Sequence, residues 1–313
     1  MTLHTPPRTA NSVMSAYPGG VSGQKVVLLA TGNYPSYSNY LNETFTFSGT
    51  DWTNQSASLI DPLGPLPGRT NAVMAYDVAD VMLFGGQGGS AASGVLGDTW
   101  RYNGLTWVAQ SPTVSPFGRY KAAAAYLSGT GVVMFGGENL LYKTLETWIW
   151  SGSAWSNVTA ANGLNPLART DHMMAASSTT VLMFGGETTG ASLNDTWFYT
   201  SAGGWVKQNP TVSPSVRSDA CMAYDSTNSI WVMFGGKNAY GYLNETWTYS
   251  TVSGWSQVSV PAGTGPSGRI GSQMCFDTTS AKTVMFGGIS ATSNYPSNET
   301  WVFSGSSLTW SQL

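Results

Sequence analysis

The sequence predicts an all-β protein assembled from six copies of one four-stranded unit. Three observations predict it: a phrase of about 50 residues recurs along the 313 positions, an apolar run inside each phrase ends in a glycine doublet, and a lone tryptophan closes each phrase. The doublets are Gly85-Gly86, Gly136-Gly137, Gly185-Gly186, Gly235-Gly236 and Gly287-Gly288, preceded by a degraded Ala30-Thr31-Gly32. An acid-Thr-aromatic triplet follows each: Glu43-Thr44-Phe45, Asp98-Thr99-Trp100, Glu146-Thr147-Trp148, Asp195-Thr196-Trp197, Glu245-Thr246-Trp247 and Glu299-Thr300-Trp301. The closing residues are Trp52, Trp107, Trp155, Trp205, Trp255 and Trp310.

Each element follows from its residues. A first strand runs through Met-Ala-Tyr or a relative of it, shortly after a repeated arginine. The second strand, such as Val81–Phe84 or Val181–Phe184, is apolar at consecutive positions, so it buries both faces. The glycine doublet ends it, where positive φ and close backbone approach are required. Thr-Trp-x-Tyr, as at Thr196–Tyr199, is β-branched and aromatic and forms the third strand. A glycine-containing turn leads to a short outer strand that carries the lone tryptophan.

The order of these elements resembles the kelch repeat of β-propellers, over essentially the whole chain. The resemblance implies a single domain, 1–313: a six-bladed propeller with four antiparallel strands per blade and blades at 8–56, 69–111, 119–159, 169–209, 217–259 and 269–313. The first copy departs most, with Leu29-Ala30-Thr31-Gly32 for Met-Phe-Gly-Gly and Phe45 for tryptophan. The termini are expected to meet between the first and last blades.

Composition narrows the setting. Charged residues make up 9% of the chain, against about 25% in an average globular protein. A net charge of −3 without a basic run speaks against a nucleic-acid partner. No signal peptide or membrane-spanning segment is read at the N-terminus, so no membrane insertion is expected. Cys221 and Cys275 fall in the first strands of neighbouring copies and are expected to be buried thiols. Low charge with no leader and no disulfide framework favours a virion component, such as a phage tail or decoration protein, over an extracellular surface protein.

Six of the seven arginines recur at one position: Arg8, Arg69, Arg119, Arg169, Arg217 and Arg269. Six carboxylates recur in the triplets: Glu43, Asp98, Glu146, Asp195, Glu245 and Glu299. Matching periods predict a structural role, each guanidinium meeting a triplet carboxylate through two hydrogen bonds. The competing reading is an arginine ring gripping an anion such as a sialic acid. His172 lies where kelch repeats often carry histidine and reads as part of the repeat.

Kelch-like enzymes make demands that this sequence does not meet. Copper radical oxidases need several histidines, and only His4 and His172 are present. No metal cluster, Walker loop or nucleophile elbow is found, so neither metal nor cofactor is expected. A resemblance to sialic-acid mutarotases survives, because those need only a few polar groups at the channel mouth. Kelch geometry would place Lys121, Glu138, Asp171, Glu187, Asp219 and Lys237 in an arc there. Glu138, Glu187, Asp171 and Asp219 are the candidate acid–base groups. Ligand contacts are expected from Lys121, Lys237 and the loop tyrosines Tyr34, Tyr37, Tyr40, Tyr240, Tyr242 and Tyr295, with Tyr142 in a further loop of the same kind. The expected function is a non-enzymatic recognition or assembly module for a protein or surface glycan, with self-association or a larger assembly left open. The alternative is a mutarotase-like or other carbohydrate-active enzyme.

Overall fold

A computed structural model describes residues 6–16, 26–30, 40, 42–56, 66–77, 79–88, 94–160, 163–293 and 295–313, with only the backbone of 26–30. Tyr34 and Tyr37 lie outside the described residues. Among these residues the chain forms six four-stranded antiparallel sheets, each in chain order. The inner strands are Val13–Ala16, Val73–Tyr76, Ala123–Leu127, Met173–Ala176, Cys221–Asp225 and Gln273–Asp277. The second strands are Val26–Ala30, Val81–Gln87, Gly131–Phe135, Val181–Phe184, Ile230–Phe234 and Lys282–Phe286. The third are Glu43–Phe47, Val95–Tyr102, Thr147–Trp150, Thr196–Thr200, Thr246–Ser250 and Thr300–Ser304. The outer strands, Trp52–Asn54, Trp107–Gln110, Trp155–Asn157, Gly204–Gln208, Gly254–Val258 and Thr309–Gln312, carry the closing tryptophans.

The sheets are held to one another by apolar layers, and each layer has a residue pattern behind it. Val81, Met82, Leu83 and Phe84 are all essentially inaccessible, as are Val181, Leu182, Met183 and Phe184, because each second strand is covered on both faces. Burial of this kind contributes about 1.5–3 kcal/mol per large side chain. Val73, Ala75, Met82 and Phe84 of sheet two pack on Val132, Met134, Trp150 and Trp155 of sheet three. Equivalent clusters join each consecutive pair, and Met14, Phe45, Phe47 and Trp52 of sheet one pack on Cys275, Val284 and Phe286 of sheet six. The phenylalanine before each glycine doublet meets the closing tryptophan of the next sheet edge-on: Phe135–Trp205 at 5.2 Å, Phe184–Trp255 at 5.0 Å, Phe286–Trp52 at 5.3 Å.

Hydrogen bonds make the same circuit. Every closing tryptophan donates its indole N–H to the triplet threonine of the preceding sheet: Trp107 to Thr44, Trp155 to Thr99, Trp205 to Thr147, Trp255 to Thr196, Trp310 to Thr246 and Trp52 to Thr300, each at 2.9 Å. The recurrence of tryptophan and threonine is thereby explained, since a buried N–H and a buried hydroxyl each need a partner. The second glycine of the first four doublets donates to the carbonyl of the next sheet's arginine, as Gly186 N to Arg217 O at 2.9 Å. Glycine is required there: Gly185 and Gly186 have φ of 63° and 93°, and a Cβ would stand 2.7 Å from Arg217 O and 2.6 Å from Thr170 O.

Five of the six arginines form the expected clamps. Arg69, Arg119, Arg169, Arg217 and Arg269 are buried, and each donates Nη1 to the carbonyl of its own sheet's first doublet glycine. The aspartate clamps are two-pronged: Arg69–Asp98 at 2.7 and 2.7 Å, Arg169–Asp195 at 2.6 and 2.8 Å. The glutamate clamps are not. Glu146, Glu245 and Glu299 each receive Nη2 on Oε2 at 2.5 Å, and that same oxygen takes the triplet indole. Burial pushes these five carboxyls up, and the guanidinium and indole bonds outweigh it, holding all five below the usual range.

Arg8 and Glu43 depart from the expectation. Arg8 is exposed, and the buried residue in register with the other arginines is Thr9, whose carbonyl accepts Gly288 N at 2.9 Å. The first copy is therefore offset by one residue at this point. Glu43 instead receives a 3.4 Å hydrogen bond from Asn54, and Phe45 has no indole N–H to offer it.

Candidate functional site

Two residues past each arginine position, the backbone turns left-handed: Asn11, Asn71, Lys121, Asp171, Asp219 and Gly271 have φ between 54° and 65°. Their peptide groups form a closed cycle. Asn71 N donates to Asn11 O, Lys121 N to Asn71 O, Asp171 N to Lys121 O, Asp219 N to Asp171 O, Gly271 N to Asp219 O and Asn11 N to Gly271 O, at 2.9–3.1 Å. Asn, Asp and Gly tolerate this conformation best, and they fill five of the six positions. This bias was a legible signal for the cycle, which the sequence reading missed.

The cycle rings one end of a central channel of about 820 Å³, walled by the inner strands. Residues with small or sulfur-containing side chains line it, among them Ala72, Ala122, Ala220, Met74, Met174 and Met222, the methionines also packing into the layers between sheets. Cys221 and Cys275 also line it as free, buried thiols; burial pushes Cys221 up to about 12 and Cys275 higher still.

Charge at the mouth is one-sided. Lys121 Nζ stands 3.4 Å from Asp171 Oδ2 and 3.6 Å from Glu138 Oε1, and Lys237 Nζ stands 3.1 Å from Asp219 Oδ2. Glu187 accepts Ser218 Oγ at 2.7 Å. Lys121, Asp171 and Asp219 line the channel itself, whereas Glu138, Glu187 and Lys237 begin the loops one layer outward. Across the ring, Asn11, Asn71 and Gly271 carry no charge. Asp171 is the most enclosed member, with 4% of its side chain exposed. Burial, then the charge of Asp219, raise it to about 7 against the opposing pull of Lys121 and Lys237. Burial would lower both lysines, but neighbouring carboxylates outweigh it and hold them above their ordinary value.

His172 follows Asp171 and also lines the channel. Its ring lies in the layer between sheets three and four, edge-on to the buried Phe135 at 5.6 Å. Burial drives it down to about 3, so it is neutral. No group of three or more His, Cys, Asp or Glu side chains able to hold a metal occurs among the described residues.

The loops beside the mouth display large side chains. Asn139 Oδ1 accepts Leu141 N and Tyr142 N at 2.8 and 3.0 Å, fixing a turn that exposes Leu140, Leu141 and Tyr142. Asn238 Oδ1 accepts Tyr240 N at 2.8 Å, and Tyr240 is 98% exposed. Tyr295 is exposed too, on a turn where Ser293 Oγ accepts its N–H at 3.2 Å. Tyr40 and Tyr242 are half-buried, so not every tyrosine of this group is free for contact.

No curated protein matches the sequence. The structure of YjhT shares the fold, with a TM-score of 0.72 over 99% of this chain and 98% of that one at 13% identity. The same fold recurs in 259 solved chains, so it assigns no activity by itself. The sequence profile of the Attractin/LZTR1 beta-propeller matches residues 132–313, more than half of the chain. The chain belongs to the Attractin/LZTR1 beta-propeller family.

Proposed function

We propose that the protein is a six-bladed, kelch-like recognition module that binds a protein partner or a surface glycan through the loops around the channel mouth. The observation that carries this reading is the display of Leu141, Tyr142, Tyr240 and Tyr295 on turns locked by side-chain-to-backbone hydrogen bonds. Rigid, exposed aromatic groups bind with little loss of conformational entropy. A surface poor in charge and rich in such turns suits lasting contact with other components, on a virion or at a cell surface. Tyr240→Ala and Tyr295→Ala should each weaken capture of the partner or glycan at least about tenfold with the melting temperature unchanged. Undiminished binding would sink the reading.

A second reading is favoured by Asp171, which is half-ionised near neutral pH beside Asp219. Such a pair could move a proton in a sugar-ring opening, as in a mutarotase-like or other carbohydrate-active enzyme. NMR exchange spectroscopy on reducing sugars, with Asp171→Asn, Glu138→Gln and Glu187→Gln as controls, tests it. Catalysed anomerisation lost in Asp171→Asn would replace the recognition reading.

A further inference from the structure

The junction between sheets three and four is filled less completely than the one that follows it. Where sheets four and five meet, Phe198 of the third strand stacks on Trp231 of the next sheet at 6.1 Å and meets Tyr249 edge-on at 5.6 Å. The same two places at the junction of sheets three and four hold Ile149 and Val181, an aliphatic side chain for each aromatic ring. A crevice of about 270 Å³ opens beside Ile149, walled by Tyr199, Trp205, Val158 and Ala160. Val158 is exposed, so solvent reaches this side of the crevice. The volume lies just below the range of drug-sized sites, about 300–1,000 Å³, and suits a molecule of one ring.

The crevice also holds hydroxyls that the fold does not use. Trp205 gives its indole N–H to Thr147 at 2.9 Å. Tyr102, the counterpart of Tyr199 in sheet two, donates to Gly104 O of its own turn at 3.1 Å. Tyr199 is only 6% exposed, yet its hydroxyl has no such bond among the described residues, and burial alone raises its pKa. Thr130 Oγ1, in the first turn of sheet three, is likewise buried without a partner among the described residues. No charged side chain lines the crevice, so an ion entering it would lose hydration without compensation. The rings of Tyr199 and Trp205, tilted and 5.2 Å apart, offer an aromatic guest the edge-on contacts that such rings favour.

We propose that this crevice binds a small neutral phenol-class molecule, its ring taking the space that Phe198 and Trp231 fill at the next junction and its hydroxyl bonded to Tyr199. The site lies beside the outer strands of sheets three and four, apart from the loops at the channel mouth, and stands or falls without the recognition reading.

Titration calorimetry of the full chain with p-cresol, toluene and p-toluate tests this, because the three share a ring and differ in the polar group. p-Cresol is expected to bind at least about fivefold more tightly than toluene, the ratio that one added hydrogen bond implies. p-Toluate should bind more weakly than either. Tyr199→Phe should bring the p-cresol and toluene affinities together while the urea midpoint stays unchanged, because that hydroxyl holds nothing within the protein. Ile149→Phe, which copies the side chain of the next sheet, should abolish binding of p-cresol. If Ile149→Phe fails to fold, the wild-type comparison and Tyr199→Phe decide. No binding of p-cresol by about 10 mM, equal binding of toluene or p-toluate, an unaltered preference in Tyr199→Phe, or undiminished binding by folded Ile149→Phe would overturn the proposal.

Discussion

Sheets one and four descend from the same phrase and differ in what they keep. Sheet four has Arg169 clamped on Asp195, an indole N–H from Trp197 on the same carboxylate, and Asp171 in the backbone cycle. Sheet one has Thr9, Glu43, Phe45 and Asn11 at those places, so both clamp and indole are gone. It nevertheless retains Trp52 bonded to Thr300, Thr44 receiving Trp107, and Asn11 in the cycle. The clamp therefore stiffens an individual sheet, whereas the tryptophan–threonine belt and the backbone cycle join sheets to one another. A copy can lose the first and still take its place in the ring.

The largest expected effect separates the two sheets. Asp195→Ala strands the buried Arg169 guanidinium and should cost about 3–5 kcal/mol, measured by urea unfolding, because an unpaired charge is left in a dry site. Glu43→Ala should cost less than about 0.5 kcal/mol, as expected where no buried charge is stranded. Similar losses would erase the distinction.

A smaller effect distinguishes Asp171 from its counterpart Asn11. The folded-state value of Asp171, about 7, lies above its unfolded value. The folded protein therefore binds the extra proton, and this group's contribution is least costly at low pH. Stability should fall by up to about 1.4 kcal/mol per pH unit between roughly pH 4 and 7, then level off. Asp171→Asn keeps the left-handed backbone and should remove this slope, raising the melting temperature at pH 8 and leaving it nearly unchanged at pH 4. A slope that persists in the variant would place its origin elsewhere.

Next comes the belt, which both sheets share. Trp52→Phe and Trp205→Phe each delete one indole N–H to a buried threonine and should each cost about 1–3 kcal/mol. A much smaller loss at Trp52 would show that the seam between sheets six and one is not held as the other junctions are. The smallest effect belongs to Arg8→Ala, expected within about 0.5 kcal/mol because the side chain is exposed.

Much of this was legible in the residues, for reasons of periodicity. Consecutive apolar positions at Val181–Phe184 announce a strand with two dry faces, and the doublet Gly185-Gly186 announces positive φ; both are found. Arginine and acid recurring together imply mutual neutralisation in a chain this poor in charge, and five clamps result. The Arg8 offset was not legible, because spacing in the tail resembles the repeat while register is set by which carbonyl meets Gly288 N. The tryptophan–threonine bonds join residues 56–64 positions apart within the chain and 248 apart at the seam, distances at which sequence pattern carries no pairing information.

By itself the sequence determined the repeat, the strands and the residues that must avoid water, because burial and backbone conformation are local demands written into each copy. Only the tertiary structure decided which residues face the channel and how strongly they disturb one another. Lys121, Asp171 and Asp219 follow one another at intervals of about 50 residues in the chain, and each alone is an ordinary surface charge. Closing the cycle of backbone hydrogen bonds brings them to one rim, where burial and Asp219 raise the Asp171 carboxyl to about 7. Electrostatic coupling depends on distance and solvent exclusion, and both are properties of the closed ring.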